Sequence, residues 1–250
     1  QTTDVLDTWF SSALWPLVPL GWPEETADIK TFYPTALISA ARDIFFLWIF
    51  RMIFSGLELV GDVPFRISYT HATVLDKSGR KMSKSRGNVV DPMKLIETYG
   101  IDAVRFGLVW QAMETQDIHF SEDALRAGKK FLNKLWNSGR FVLSRLDSPP
   151  RALRRPTARM EENKTVIEAL DRVREEAAQA LERFEFGKAL HLIYDFYWHT
   201  FCDVFLEKVK LSSARETDDT LLFVFAESLK LLHPFIPFLT ERLWGLIQLE

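Results

Sequence analysis

Five basic side chains crowd one short stretch: Lys77, Arg80, Lys81, Lys84 and Arg86, with no acid from residue 77 to residue 90. Ser83 and Ser85 add hydroxyl donors, while Gly79 and Gly87 leave the backbone free to bend. Side chains of this kind, held on a loop, suit a polyphosphate, because lysine meets phosphate as a compact point charge. The competing reading is a solvated basic hairpin tip.

The flanks say how such a loop is held. An apolar run from Phe65 to Leu75 predicts a strand, and Asp76-Lys77-Ser78-Gly79-Arg80 predicts a turn. Beyond the loop, Asp91 is placed to cap a helix whose first turn holds Pro92. Upstream, Ala36-Leu37-Ile38-Ser39 reads as a short buried strand. Residues Asp43 to Ser55 are apolar nearly all round, which predicts a helix buried on most faces with Asp43 at its N-terminus. Strand, helix and strand make a βαβ unit and hence a parallel sheet. Ligands of such sheets bind at the carboxyl ends of the strands.

The rest of the chain changes period. Residues Pro92 to Tyr99 and Asp102 to Val109 read as two short helices separated by Gly100. Residues 116–120 read as extended, and Ser121-Glu122-Asp123 starts a long helix running to about Leu146. A connection rich in proline and arginine follows, with Arg151, Arg154, Arg155 and Arg159. Further helices are predicted from about Glu161 to Phe184, Gly187 to Leu211 and Asp218 to Leu232, and then from Thr240. The expectation is an antiparallel helical bundle after an α/β part, with the boundary between residues 121 and 122.

Composition narrows the function. A chain of 250 residues holds one large or two ordinary domains, and a net charge of −3 carries no global field for nucleic acid. Any RNA contact must come from a narrow strip, for which Arg140, Arg145, Arg151, Arg154, Arg155 and Arg159 are the candidates, with Lys129, Lys130 and Lys134 beside them. The single cysteine, Cys202, excludes an internal disulfide and suits a buried thiol in a cytosolic protein. The five histidines show no metal-ligand spacing, and no apolar run is long enough to span a membrane. A bound metal and a membrane partner are therefore not expected.

The string Lys81-Met82-Ser83-Lys84-Ser85, continued by Gly87-Asn88, resembles the signature loop of class I aminoacyl-tRNA synthetases. The segment from Asp4 to Pro16 is similar to the one that follows the editing insertion in the valine members, whereas isoleucine members carry an acid after Trp-Phe. Residues Tyr99 to Phe106 resemble the family's stem-contact region. Asn133 to Asn137 and His233 to Glu241 resemble its helical anticodon-binding domain.

The resemblance implies the second half of a Rossmann-like class I synthetase fold over residues 1–121. It implies an anticodon-binding helical domain over residues 122–250. Lys81, Ser83, Lys84 and Ser85 would carry the chemistry, Lys84 and Lys81 with Asp43 would bind ATP, and Trp9 and Trp48 would wall the amino-acid pocket. ATP would arrive with Mg2+ as substrate; valine and tRNA(Val) would be the other partners of a cytoplasmic monomer. Arg151, Arg154 and Arg155 are the tRNA-binding candidates. Two departures stand out: Ala41-Arg42 where many relatives have Gly-Tyr, and His71-Ala72 where many have His-Gly. A methyl group at each point tightens the approach to a nucleotide. No His-Ile-Gly-His-like string and no editing domain occur in these 250 residues, so the sequence reads as part of a longer ligase, inactive alone. A non-catalytic tRNA-binding relative and an isoleucine-specific relative are the alternatives.

Overall fold

The computed structural model describes residues 4–113, 117–145, 153–212 and 214–247. They form two compact units: the first ends at Thr73 and takes in Asp117, and the second begins at Val74 and resumes at Ile118. This division by compactness differs from the boundary expected between residues 121 and 122.

In the first unit, α1 (Thr8–Ala13) starts on Asp7, whose carboxylate accepts from the Trp9 amide at 2.8 Å. Helix α2 (Ala27–Phe32) starts on Thr26, whose hydroxyl accepts from the Ile29 amide at 3.1 Å. Strands β1 (Thr35–Ala41) and β2 (Phe65–His71) pair in parallel, with Leu37 opposite Ile67 and Ser39 opposite Tyr69. Between them runs a helical crossover: a 3-10 turn at Arg42–Ile44, a wide π turn at Phe45–Ile49, and then α3 (Phe50–Leu59). The βαβ unit is therefore present. Ile38, Ala40, Ile49, Met52 and Phe65 make its small core.

Two expectations about this unit are corrected. The crossover is not buried on most faces: Phe46, Phe50 and Phe54 stand 74 %, 51 % and 60 % exposed, because the two-stranded sheet and α1 together cover only part of it. The apolar run from Phe65 to Leu75 is also not one strand. It stops at His71, and Asp117 holds the break by accepting from the Thr73 amide at 3.2 Å and pairing with Arg42 at 3.4 Å.

The second unit opens on β3 (Val74–Leu75), which pairs in parallel with β4 (Ile118–His119). Asp91 caps α4 (Pro92–Tyr99) by accepting from the Met93 amide at 2.9 Å, and Gly100 separates it from α5 (Ile101–Gln111). Ser121 caps the long α6 (Glu122–Ser144), with Glu122 and Asp123 in its first turn. Helices α7 (Glu161–Glu182), α8 (Phe186–Asp195), α9 (Leu206–Leu211), α10 (Arg215–Leu232) and α11 (Pro237–Ile247) complete a bundle. Among the described residues after Leu125 there is no strand.

The predicted helix from Gly187 to Leu211 is continuous, but its middle, Phe196–Phe205, is wound as a π-helix. Its buried pairs explain the wider turn. The buried pairs Phe196-Tyr197, Phe201-Cys202 and Phe205-Leu206 recur at steps of five and then four residues, a mean spacing wider than the 3.6 of an α-helix and suited to the wider π turn. Tyr197 is fully buried and shares a 2.5 Å hydrogen bond with Ser138 of α6, while burial pushes the Cys202 thiol up to about 12.

One clamp ties α5 to the start of α11. The buried Asp102 carboxylate accepts from the Leu239 amide at 2.7 Å, and Arg105 donates to the carbonyls of Pro234 and Phe235 at 2.9 and 3.1 Å.

Candidate functional site: the basic loop and the tryptophan cluster

The basic loop hangs from the end of β3, where Leu75 bridges antiparallel to Lys81 and the Asp76 amide bonds the Arg80 carbonyl at 2.9 Å. Asp76 is the hub. Its Oδ1 accepts from the Ser78 and Arg80 amides at 2.9 Å each, and its Oδ2 accepts from Arg80 Nε at 3.0 Å and Asn88 Nδ2 at 2.9 Å. These donors, Asn88 foremost, hold its carboxyl far below the usual carboxylate range. Gly79 makes the turn at φ +75, and a Cβ there would sit 2.9 Å from the His119 ring.

Met82 explains the apolar residue inside a charged string. It packs with Val74, Val90 and Leu95 against the core of Val104, Phe120 and Leu125, so the loop is pinned from beneath by an apolar side chain. The basic residues around it stay outside: Lys81, Lys84 and Arg86 are exposed. Asn88 Oδ1 accepts from the Ser83 amide at 2.9 Å, and the Ser83 and Ser85 hydroxyls lie 3.2 Å apart. A short 3-10 turn, Lys84–Arg86, ends on Gly87 in the left-handed region at φ 65. The four residues predicted to carry the chemistry thus share one loop, with rigid footing and solvent-facing cations. Such preorganised donors suit charge that develops on phosphate oxygens.

The first unit holds the other predicted site residues. Asp43 is exposed in the 3-10 turn directly after the carboxyl end of β1. Trp48 Nε1 donates to the Ser12 carbonyl at 3.2 Å, and its ring meets Trp15 with centroids 6.0 Å apart. Trp9 is 39 % exposed and lies under the Arg51 guanidinium at 5.1 Å. The ring contact of Trp48 is therefore with Trp15, which lies in the same Asp4 to Pro16 segment as Trp9.

Of the three arginines assigned to RNA, Arg151 lies outside the described residues. Arg154 is exposed. Arg155 makes a two-pronged pair with Asp171, at 2.8 and 2.5 Å. Two more members of the expected strip are also engaged: Arg145 with Asp218 at 2.8 Å, and Lys134 with Asp203 at 2.6 Å. No group of three or more His, Cys, Asp or Glu among the described residues is placed to hold a metal ion. None of the described helices is long and apolar enough to cross a membrane.

Residues 1–121 match the family model for class I tRNA synthetases of the isoleucine, leucine, methionine and valine group, and residues 163–249 match the anticodon-binding domain of tRNA ligases. The chain belongs to the class I tRNA synthetases. It is 45 % identical to a valine–tRNA ligase of Thermotoga maritima over 98 % of its own length, and 42 % identical to that of Aquifex aeolicus, again over 98 %. It spans 28 % and 23 % of those two relatives. Among solved structures, the LeuRS of Agrobacterium radiobacter K84, in a ternary complex with tRNA and LeuAMS, superposes with a TM-score of 0.84 at 23 % identity. That match covers 99 % of this chain and 32 % of the other. A Mycobacterium tuberculosis methionyl-tRNA synthetase bound to methionyl-adenylate follows at 0.79 and 22 %, covering 97 % and 50 %. At these identities the two structures speak for the class I synthetase fold.

Proposed function

We propose that this chain is the part of a valine–tRNA ligase that carries the signature loop and the anticodon-binding helices. The observation that carries the proposal is identity of 41–45 % to proteins named valine–tRNA ligase along nearly the whole chain. In this reading the domains divide at residues 121 and 122, with the catalytic part first.

The reaction has two steps. The valine carboxylate attacks the α-phosphorus of ATP and pyrophosphate leaves, giving valyl-adenylate. A terminal tRNA hydroxyl then attacks the acyl carbon and AMP leaves. Neither step needs a protein nucleophile, so catalysis consists of positioning and charge stabilisation. Lys81 and Lys84 meet the phosphates, with the Ser83 and Ser85 hydroxyls beside them, and Asp43 holds the adenylate. Trp9 and Trp48 wall the valine side chain, joined by Trp15 through its contact with Trp48. Mg2+ comes bound to ATP as part of the substrate. The anticodon stem-loop of tRNA(Val) is the partner of the helical domain, and the protein works as a cytoplasmic monomer.

The test is pyrophosphate exchange into ATP. The natural full-length polypeptide should exchange with valine and not with isoleucine, and this chain by itself should not exchange. Exchange dependent on isoleucine, or none with any amino acid, overturns the proposal.

A further inference from the structure

We infer that Asp76 and Asn88 form a positioning pair that closes the base of the signature loop and fixes the direction of the Ser83 amide. As far as it concerns catalysis, the inference rests on the function proposed above. The loop between these two residues is the one bearing Lys81, Ser83, Lys84 and Ser85, and the pair joins its ends by the 2.9 Å hydrogen bond from Asn88 Nδ2 to Asp76 Oδ2. The same carboxamide donates to the Lys81 carbonyl at 3.3 Å and accepts from the Ser83 amide at 2.9 Å. Lys81, Lys84 and Arg86 are exposed, whereas Asp76 is only 9 % exposed and takes a single cation of the loop, Arg80, as a hydrogen-bond donor. Neither residue is placed as a phosphate ligand; both act through the backbone of the residues that are.

The chemistry at each end is one-sided. An ionised carboxylate only accepts and a backbone N–H only donates, so a side chain linking the two must offer an amide hydrogen to one and an oxygen to the other. Asparagine does both. Asp76→Asn turns an amide hydrogen toward the amide hydrogens of Asn88, and Asn88→Asp sets two carboxylates against each other. The two changes together restore a complementary pair: the carboxamide at 76 keeps its oxygen for the Ser78 and Arg80 amides and donates across to the carboxylate at 88. That carboxylate still accepts from Ser83. Arg80 loses one acceptor and the Lys81 carbonyl loses its 3.3 Å donor, but the Arg80 side chain is 64 % exposed and Lys81 is exposed, so water replaces both.

The experiment is this reciprocal swap in the natural full-length polypeptide, read by valine-dependent pyrophosphate exchange and by hydrogen exchange at the Ser83 amide of this chain. Each single substitution should lower kcat/KM for ATP by about tenfold or more, the scale of one charge-assisted hydrogen bond, with KM for valine within about twofold of wild type. The double substitution should recover to within about threefold of wild type. Ser83 amide exchange should accelerate about tenfold in each single variant and slow again in the double. Single variants with wild-type kinetics, or a double as slow as the product of the singles, would overturn the inference. If the wild-type polypeptide shows no exchange with valine, the proposed function fails by itself and the Ser83 amide still decides the pairing. If Asp76→Asn does not fold, Asn88→Asp decides alone, since it leaves the turn bonds from Ser78 and Arg80 intact; wild-type rate and protection there refute the pair.

Discussion

Two aromatic helical segments of this chain look alike in sequence and end up in opposite environments. Phe45 to Phe54 and Phe196 to Phe205 are both dense in rings, and both contain π winding. In the second, Tyr197, Phe201 and Phe205 are 0 %, 0 % and 2 % exposed; in the first, Phe46, Phe50 and Phe54 are more than half exposed. The difference lies in the layers available, not in the segments. The bundle packs its π segment against α6, α7 and α10, so its buried rings find partners. The crossover helix has a two-stranded sheet on one side, and a parallel sheet needs helices on both faces to bury its own surface. An apolar helix thus announces that it will be covered, not by what.

The largest effect expected follows directly. Phe201 packs between Tyr197, Phe205 and Phe225, and Phe201→Ala should cost about 3–5 kcal/mol through lost burial and a residual cavity. Phe50→Ala, at a ring about half exposed, should stay within about 0.5 kcal/mol. Urea unfolding of this chain, followed by helical circular dichroism, measures both. Equal losses would mean that the exposed stripe is packed in solution and would dissolve the contrast.

Next in size is the contrast between the loop and the tryptophan cluster, tested in the full-length polypeptide. Lys84→Ala should slow valyl-adenylate formation by roughly two to three orders of magnitude, the scale of removing one preorganised donor, and leave valine affinity nearly unchanged. Trp48→Ala should do the reverse, raising KM for valine first. An unchanged single-turnover rate in the lysine variant would remove the loop from the chemistry.

The sequence disclosed these regions unequally. Helices with a clean 3.6-residue period were legible to within a few residues, at Ser121 with a capping hydroxyl and at Glu161 from the period alone, because cap and period are local properties. The wide turns of Phe196–Phe205 were not, since they answer to rings buried against α6 and α7. The end of β2 at His71 was hidden for a similar reason: the run to Leu75 stays apolar, and the break is held by Asp117, more than forty residues away in sequence. Trp15 gained its place only through Trp48, and the basic residues of the linker revealed their charge but not their acidic partners. Asp76 was the most readable of the omissions. An aspartate two residues before an amide it can accept, with glycine next, is an Asx-turn signal. Its bond to Asn88 across the loop carries no such mark.

A smaller effect separates Asp76 from the exposed loop cations by pH. Its carboxyl titrates below the unfolded value, so its contribution to loop closure is fully present above the ordinary carboxylate range and is lost as the pH falls from about 4 toward the folded pKa. Exchange protection at the Ser78, Arg80 and Ser83 amides should therefore persist at about pH 5 and decline together below about pH 3.5. Loss of that protection near neutral pH would point to a different hub.

The smallest effect divides two neighbouring arginines. Arg155 spends its guanidinium on both oxygens of Asp171, whereas the Arg154 side chain is exposed. A cation already paired must give up its partner before it neutralises a phosphate, so the two should differ in a salt titration of tRNA(Val) binding by the full-length polypeptide. If Arg154 lies on the RNA-binding strip, Arg154→Ala should lower the log–log slope by roughly 0.7 to 0.9, one phosphate contact, and Arg155→Ala should leave the slope unchanged. Stability should move the other way. Arg155→Ala forfeits a half-exposed ion pair and should cost no more than about 1 kcal/mol, and Arg154→Ala should cost nothing measurable. Equal slopes for both variants and wild type would make the stretch a tether of α7 and nothing more, and would shift the search for phosphate contacts to Arg140, which is exposed on α6.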